Sequence, residues 1–271
     1  MSDYEIFDVF DEKIDDFLNH IDPIFQVVPG NSFGFFGATV ASLAVIISFI
    51  LYISVDPTFT IFTHWISHLG AGPNGSNIVF NIGISITSFL LFLFYMYFIK
   101  EFRKKGANKY LLDVFFISSI GTTLGLLFVA FFPYDIVYLH STAAFIFFFS
   151  GLISCSLYAI IILTTKGTHK IQAIFAFIVS GFFFFHLISS IMIAFSSELY
   201  IGIAVFSEWL TLFAMIVLII ETGFYHITEK KLFYKQLANH VIDNNHKLNN
   251  SNIMKLRKFI KSLHHKKHIL I

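Results

Sequence analysis

The chain has 271 residues, 56% of them hydrophobic and 13% charged, with a formal net charge of +1. Soluble globular domains hold about 25% charged residues, so at a mean hydropathy of +0.75 the composition excludes a water-soluble domain and points to membrane spans. Near-neutral charge gives no electrostatic footprint for nucleic acid, and the lone cysteine, Cys155, rules out an internal disulfide.

The small net charge hides a strong asymmetry. Residues 1–32 carry eight acids and one base (−7), residues 225–271 ten Lys/Arg against two acids (+8), and the middle seven of each sign. The acidic N-terminus lacks the basic region and short apolar core of a secretory signal. Within it Phe7, Phe10, Ile14, Phe17, Leu18, Ile21 and Phe25 recur at helical spacing, which predicts an amphipathic arm before the membrane. Its acidic polar face is wrong for an anionic-lipid anchor; pairing with the basic tail is one alternative.

Six apolar runs follow, over 33–55, 77–99, 111–132, 139–164, 171–195 and 201–224, each long enough for a bilayer core of about 30 Å. The connections are short and no internal repeat is visible, which argues against a duplicated transporter fold. Lys and Arg cluster at 100–109, at 166–170 and in the tail, and the loops 56–76, 133–138 and 196–200 have none. The positive-inside rule then places both termini in the cytoplasm and those three loops outside. Trp65, Tyr134, Tyr138, Tyr200 and Trp209 are expected near the outer interface. Gly34, Gly37, Ala38 and Ala41, and the Gly121-x-x-x-Gly125 pair, provide small-residue contact surfaces, within one bundle or in a homo-oligomer. In the basic tail, residues 253–268 read as an amphipathic segment on the anionic cytoplasmic leaflet.

Asp56 to Asn77 is the longest connection between spans. Asp56-Pro57 is an N-cap signature and Gly70 a terminator, so an external interfacial helix is predicted over 57–69. It would set His64 and His68 on one face at i,i+4, the zinc-holding spacing of HExxH helices, but without that motif's glutamate. No cofactor is expected on this reading; zinc on His64 and His68 is the alternative. Asn74-Gly75-Ser76 is a glycosylation sequon.

No Lys or Arg lies inside a span. His140 opens the fourth, His186 lies nine residues before the external end of the fifth, and Glu208 seven residues after the external start of the sixth. At 1.5 Å per residue the last two sit about 14 and 10 Å deep, at comparable levels. Intramembrane ionisable groups usually face a bundle interior or wet cavity. With the Asn81, Ser85 and Ser88 stripe and Ser189 and Ser190, they predict an outward-facing polar cavity. A purely structural His186–Glu208 bond is the competing reading.

Ser67-x-Leu69-Gly70, the following Gly/Asn turn, Phe80-Asn81-x-Gly83, and Pro133 followed seven residues later by His140 resemble the six-helix prokaryotic membrane family known as domain of unknown function 998. A more distant similarity is to the DRAM/Frag/Sfk-type six-helix proteins linked with lipid organisation and autophagy. The resemblance covers residues 33–225; it implies fold and topology and carries no mechanism.

The expectation is an all-α integral membrane protein: a six-transmembrane helix bundle (33–224) with an external interfacial helix, a cytoplasmic acidic arm (1–32) and a cytoplasmic basic tail (225–271), multi-pass in the plasma membrane. Its partners are membrane lipids. It would bind a lipid or small amphiphile, without catalysis, in a cavity lined by Asn81, Ser85, Asp135, His140, His186 and Glu208. Two alternatives remain: a metal-dependent intramembrane hydrolase using His64, His68, His140 or His186 with Asp135 or Glu208 as base, and a proton-coupled carrier using Glu208 and His186.

Overall fold

A computed structural model describes the chain over residues 3–193 and 198–243, with side-chain surroundings over 9–193 and 200–223. Two compact units divide it, Met1–Gly223 and Phe224–Ile271. The elements are α1 (Asp3–Val27), α2 (Gly30–Ile53), a 3-10 turn η1 (Ile66–Ala71), α3 (Ser76–Lys104), α4 (Lys109–Phe131), α5 (Val137–Thr164), α6 (Lys170–Met192) and α7 (Glu198–Asp243). There is no strand among the described residues. Six helices, with the last span at Tyr200–Gly223, are long and apolar enough to cross a membrane. The predicted amphipathic segment at 253–268 lies outside the described residues.

The spans are apolar on both sides, and packing decides which side faces inward. In α3, Ile78, Ile82, Ile86 and Phe89 repeat at helical spacing and are exposed, whereas Phe80, Ile84 and Leu91 are buried. The exposed stripe is what a lipid-facing surface requires. Between helices the contacts come from small residues and hydroxyls. A Cβ on Gly121 would meet Ser150 of α5, and one on Gly125 the Phe147 backbone. The GxxxG pair is therefore occupied by α4–α5 packing within the chain. Hydroxyl bonds link neighbouring helices: Thr87 to the Gly37 carbonyl at 3.4 Å, Ser88 to the Thr123 carbonyl at 2.6 Å, Ser154 to Ser118 at 2.9 Å, Ser156 with Ser180 at 2.6 Å, and Thr211 to the Phe182 carbonyl at 3.1 Å. Asn31 joins α2 to α7 through the Gly223 carbonyl at 3.5 Å.

Helix α1 packs onto the ends of α3 and α4. Its apolar face buries Ile14 and Leu18 and sets Phe10 and Phe17 against Phe116, and Phe25 against Phe33 and Tyr97. The acidic face takes up the basic end of α3. Asp22 pairs with Lys100, and Arg103 pairs with Asp11 at 2.7 Å, Asp15 at 2.6 Å and the buried Asp113 of α4 at 3.1 Å. The arm's charge thus serves an intramolecular dock.

The predicted helix over 57–69 is not formed. Residues 54–65 are turns and only Ile66–Ala71 is helical, as a 3-10 turn. Three threonines supply competing local bonds. The Thr58 hydroxyl and amide both donate to Asp56 Oδ1, at 2.6 and 3.0 Å, Thr60 bonds Thr63 at 2.7 Å, and Thr63 bonds His64 Nδ1 at 2.9 Å. Side-chain bonds of this kind offer the backbone an alternative to helix. Asp56 consequently makes an Asx-type turn in place of an N-cap, and those bonds hold its carboxyl below the usual range.

Candidate functional site

The 54–75 loop is held against the bundle by α7. Glu208 Oε2 accepts the Ile66 amide at 2.8 Å, and Ser67 lies beside the same carboxyl group. A carboxylate at the start of η1 satisfies amides that a helical turn leaves unpaired and complements their partial positive charge. One residue on, Trp209 Nε1 donates to the His64 carbonyl at 2.8 Å. Trp209 is 2% exposed, so its ring is packed in the core beneath the loop instead of facing lipid.

Three further bonds close the C-terminal side of the loop. Ser76 Oγ donates to the Leu69 carbonyl at 2.9 Å, Ser48 Oγ to the Ser76 carbonyl at 3.0 Å, and Asn81 Nδ2 to the Gly70 carbonyl at 2.9 Å. Gly70 leaves room for this approach, because a Cβ there would lie 2.6 Å from Asn81 Oδ1 and displace the Asn81 side chain. The sequon is part of the same construction. Asn74, at φ 56°, donates to Ser54 Oγ at 2.9 Å, and Ser76 is fully buried.

Beneath η1 lies an internal cavity of about 30 Å³ bounded by α3, α4, α5 and α7. One water needs about 10–15 Å³ on this measure, so the space suits about two waters or one small polar group. Ser67, His140 and Glu208 are its polar lining, and Phe80, Phe147 and Phe148 are among its apolar walls. His140 is fixed by an Nδ1 contact of 2.7 Å to the Phe132 carbonyl. A carbonyl can only accept, so Nδ1 carries the proton and Nε2 of the neutral ring is the acceptor.

The other predicted site residues lie elsewhere. His186 Nδ1 meets Ser207 Oγ at 2.9 Å, while Ser207 donates to the Ala204 carbonyl at 2.7 Å and Ser190 approaches His186 Nε2 at 3.4 Å. Its ring packs on Phe148 at 3.9 Å between centroids. This ties α6 to α7, and no His186–Glu208 bond exists among the described residues. Ser85 turns back to the Asn81 carbonyl at 2.8 Å. Asp135 is exposed on the turn before α5.

His64 and His68 do meet, though not on a helix face. Their rings lie edge-to-face at 5.7 Å; His64 stacks on Phe59 at 4.7 Å and His68 sits on Tyr134 at 4.1 Å. Burial, reinforced by the neighbouring His64 and His140, pushes His68 down to about 4 against the opposing charge of Asp135. Its Nε2 is buried without a hydrogen-bond partner. Among the described residues no three His, Cys, Asp or Glu groups are spaced to hold a metal ion.

Glu208 and Trp209 as a clasp for the loop escaped the sequence reading, which saw an intramembrane acid but looked for a side-chain partner. The partners are backbone groups, the Ile66 amide and the His64 carbonyl, which carry no sequence signature.

Six apolar helices packed through hydroxyls and glycines, with a mainly apolar cavity closed by a connecting loop, define a polytopic α-helical integral membrane protein. Comparison of the chain with protein-family models, with curated proteins and with solved structures finds no match.

Proposed function

We propose that the six-helix domain binds the polar group of a lipid or small amphiphile in the cavity beneath the 54–75 loop, with the loop as its lid. The observation that carries this reading is that buried Glu208 both clasps the loop and, with His140, lines the cavity. A volume of about 30 Å³ admits a headgroup and leaves the tail to the bilayer. The lid would face outward in the plasma membrane with both termini in the cytoplasm, because Lys and Arg gather in the connections at the opposite end of the spans. The resemblance to the domain-of-unknown-function-998 family supports the same topology.

The chain's two tryptophans, Trp65 before η1 and Trp209 beside Glu208, provide a reporter. Protein in nanodiscs is titrated with an amphiphile brominated beside its headgroup. Saturable tryptophan quenching that Ala144→Leu, which narrows the cavity, abolishes is the expected result. Quenching that rises linearly and ignores Ala144→Leu reflects bilayer partitioning alone and overturns the reading.

A further inference from the structure

The chemistry of the cavity selects one headgroup class, an inference that rests on the amphiphile reading above. Glu208 is 6% exposed, and the ion pairs among the described residues all involve Lys100, Arg103 or Lys104, so none reaches it. A buried carboxylate without a cation is costly. The Ile66 amide reduces that cost, but no side-chain cation meets the carboxyl group among the described residues.

The second polar wall also accepts. His140 spends its one N–H on the Phe132 carbonyl, which leaves a lone pair on Nε2. The cavity is therefore furnished with acceptors from two elements, α5 and α7, which suit a ligand that donates. Phe80, Phe147 and Phe148 add aromatic walls, and phenyl rings attract cations placed over their faces. Acceptor atoms, a carboxyl group that an incoming cation would hold ionised, and aromatic walls in a space of about 30 Å³ fit an ammonium group. A phosphate or sulfate would meet like charge, and a guanidinium is larger.

We infer that the cavity is an ammonium site: the ligand is an amphiphile headed by a primary ammonium, with its N–H groups on Glu208 and His140 Nε2 beneath η1.

The test uses the full chain in phosphatidylcholine nanodiscs, with decylammonium, decanol and decyl sulfate as tail-matched competitors of the brominated probe. Methylammonium chloride serves as the headgroup alone. Decylammonium should compete about tenfold more strongly than decanol, the effect of one charge-assisted contact, and decyl sulfate less than decanol. Competition by methylammonium alone would place the recognition in the headgroup and identify a free small amine as sufficient. Glu208→Gln, which keeps an acceptor for the Ile66 amide, should bring decylammonium and decanol together. If decanol equals decylammonium on the unaltered chain while probe binding still saturates, the ammonium assignment is overturned and the amphiphile reading survives. If no competitor displaces the probe and quenching never saturates, both fall. The wild-type series decides even where Glu208→Gln does not fold.

Discussion

Replacing Gly125 by Ala puts a methyl group where α4 and α5 are closest. The new Cβ would lie 2.5 Å from the Phe147 nitrogen, 2.7 Å from its Cα and 3.0 Å from the Ala143 carbonyl oxygen, where ordinary contact begins at 3.4 Å. These are backbone atoms of a membrane helix, so no rotamer change relieves the clash and α5 must retreat by about 1 Å, an overpacking that costs about 1–3 kcal/mol. Retreat also stretches the Thr122–Ser154 contact at 3.2 Å and the Ser154–Ser118 bond at 2.9 Å, each worth roughly 0.6 kcal/mol in a membrane bundle. Against this, Ala gains about 1 kcal/mol over Gly in helix propensity. The net loss is about 1–3 kcal/mol. Gly181 provides the control, because a Cβ there meets nothing within 4 Å and Ala should be neutral or stabilising. Heating both variants in detergent and following the monodisperse fraction by size exclusion should show Gly125→Ala melting well below Gly181→Ala. Equal melting would refute direct backbone contact between α4 and α5.

Two further outcomes follow from the charged groups. Arg103→Ala leaves the Asp113 side chain, 3% exposed, without its cation and frees Asp11 and Asp15; a loss on the order of 3 kcal/mol and new protease cleavage within α1 are expected, with limited proteolysis as the readout. His68 titrates near 4 in the folded chain and near 6.5 when unfolded. The unfolded state therefore binds a proton first as pH falls. His68 contributes nothing to the pH dependence above about 6.5, lowers stability between roughly 6.5 and 4, and levels off below that. Melting curves from pH 7 to 4 should fall less steeply for His68→Gln than for the unaltered chain.

The spans were legible because length and apolarity suffice to mark a membrane helix, and the structure moves their ends by only a few residues. The polar stripes were visible but not their use. Ser88 and Ser189 are hydrogen-bonded to carbonyls within the bundle, and a sequence cannot tell a hydroxyl that joins helices from one that lines a cavity. The loop misled for a definite reason. Asp56-Pro57 is a sound helix start by itself, yet Thr58, Thr60 and Thr63 offer side-chain bonds, and Trp209 and Glu208 bind the backbone at His64 and Ile66. Those partners lie more than 140 residues away. The acidic arm was recognisable as amphipathic; its partners Lys100 and Arg103 were visible only as a basic loop until folding brought them together.

The clasp between Glu208 and η1 is tested most directly by hydrogen exchange. Protein in nanodiscs is compared with its Glu208→Ala variant, following a peptide that spans 60–75 and a reference peptide in α5. The Ile66 amide, held by Glu208 at 2.8 Å, should exchange slowly in the unaltered chain. In Glu208→Ala the 60–75 peptide should exchange at least about tenfold faster, the equivalent of a charged hydrogen bond worth roughly 1.5–3 kcal/mol, with α5 unchanged. Identical exchange of 60–75 in the two proteins would contradict Glu208 as the group that holds the loop over the cavity.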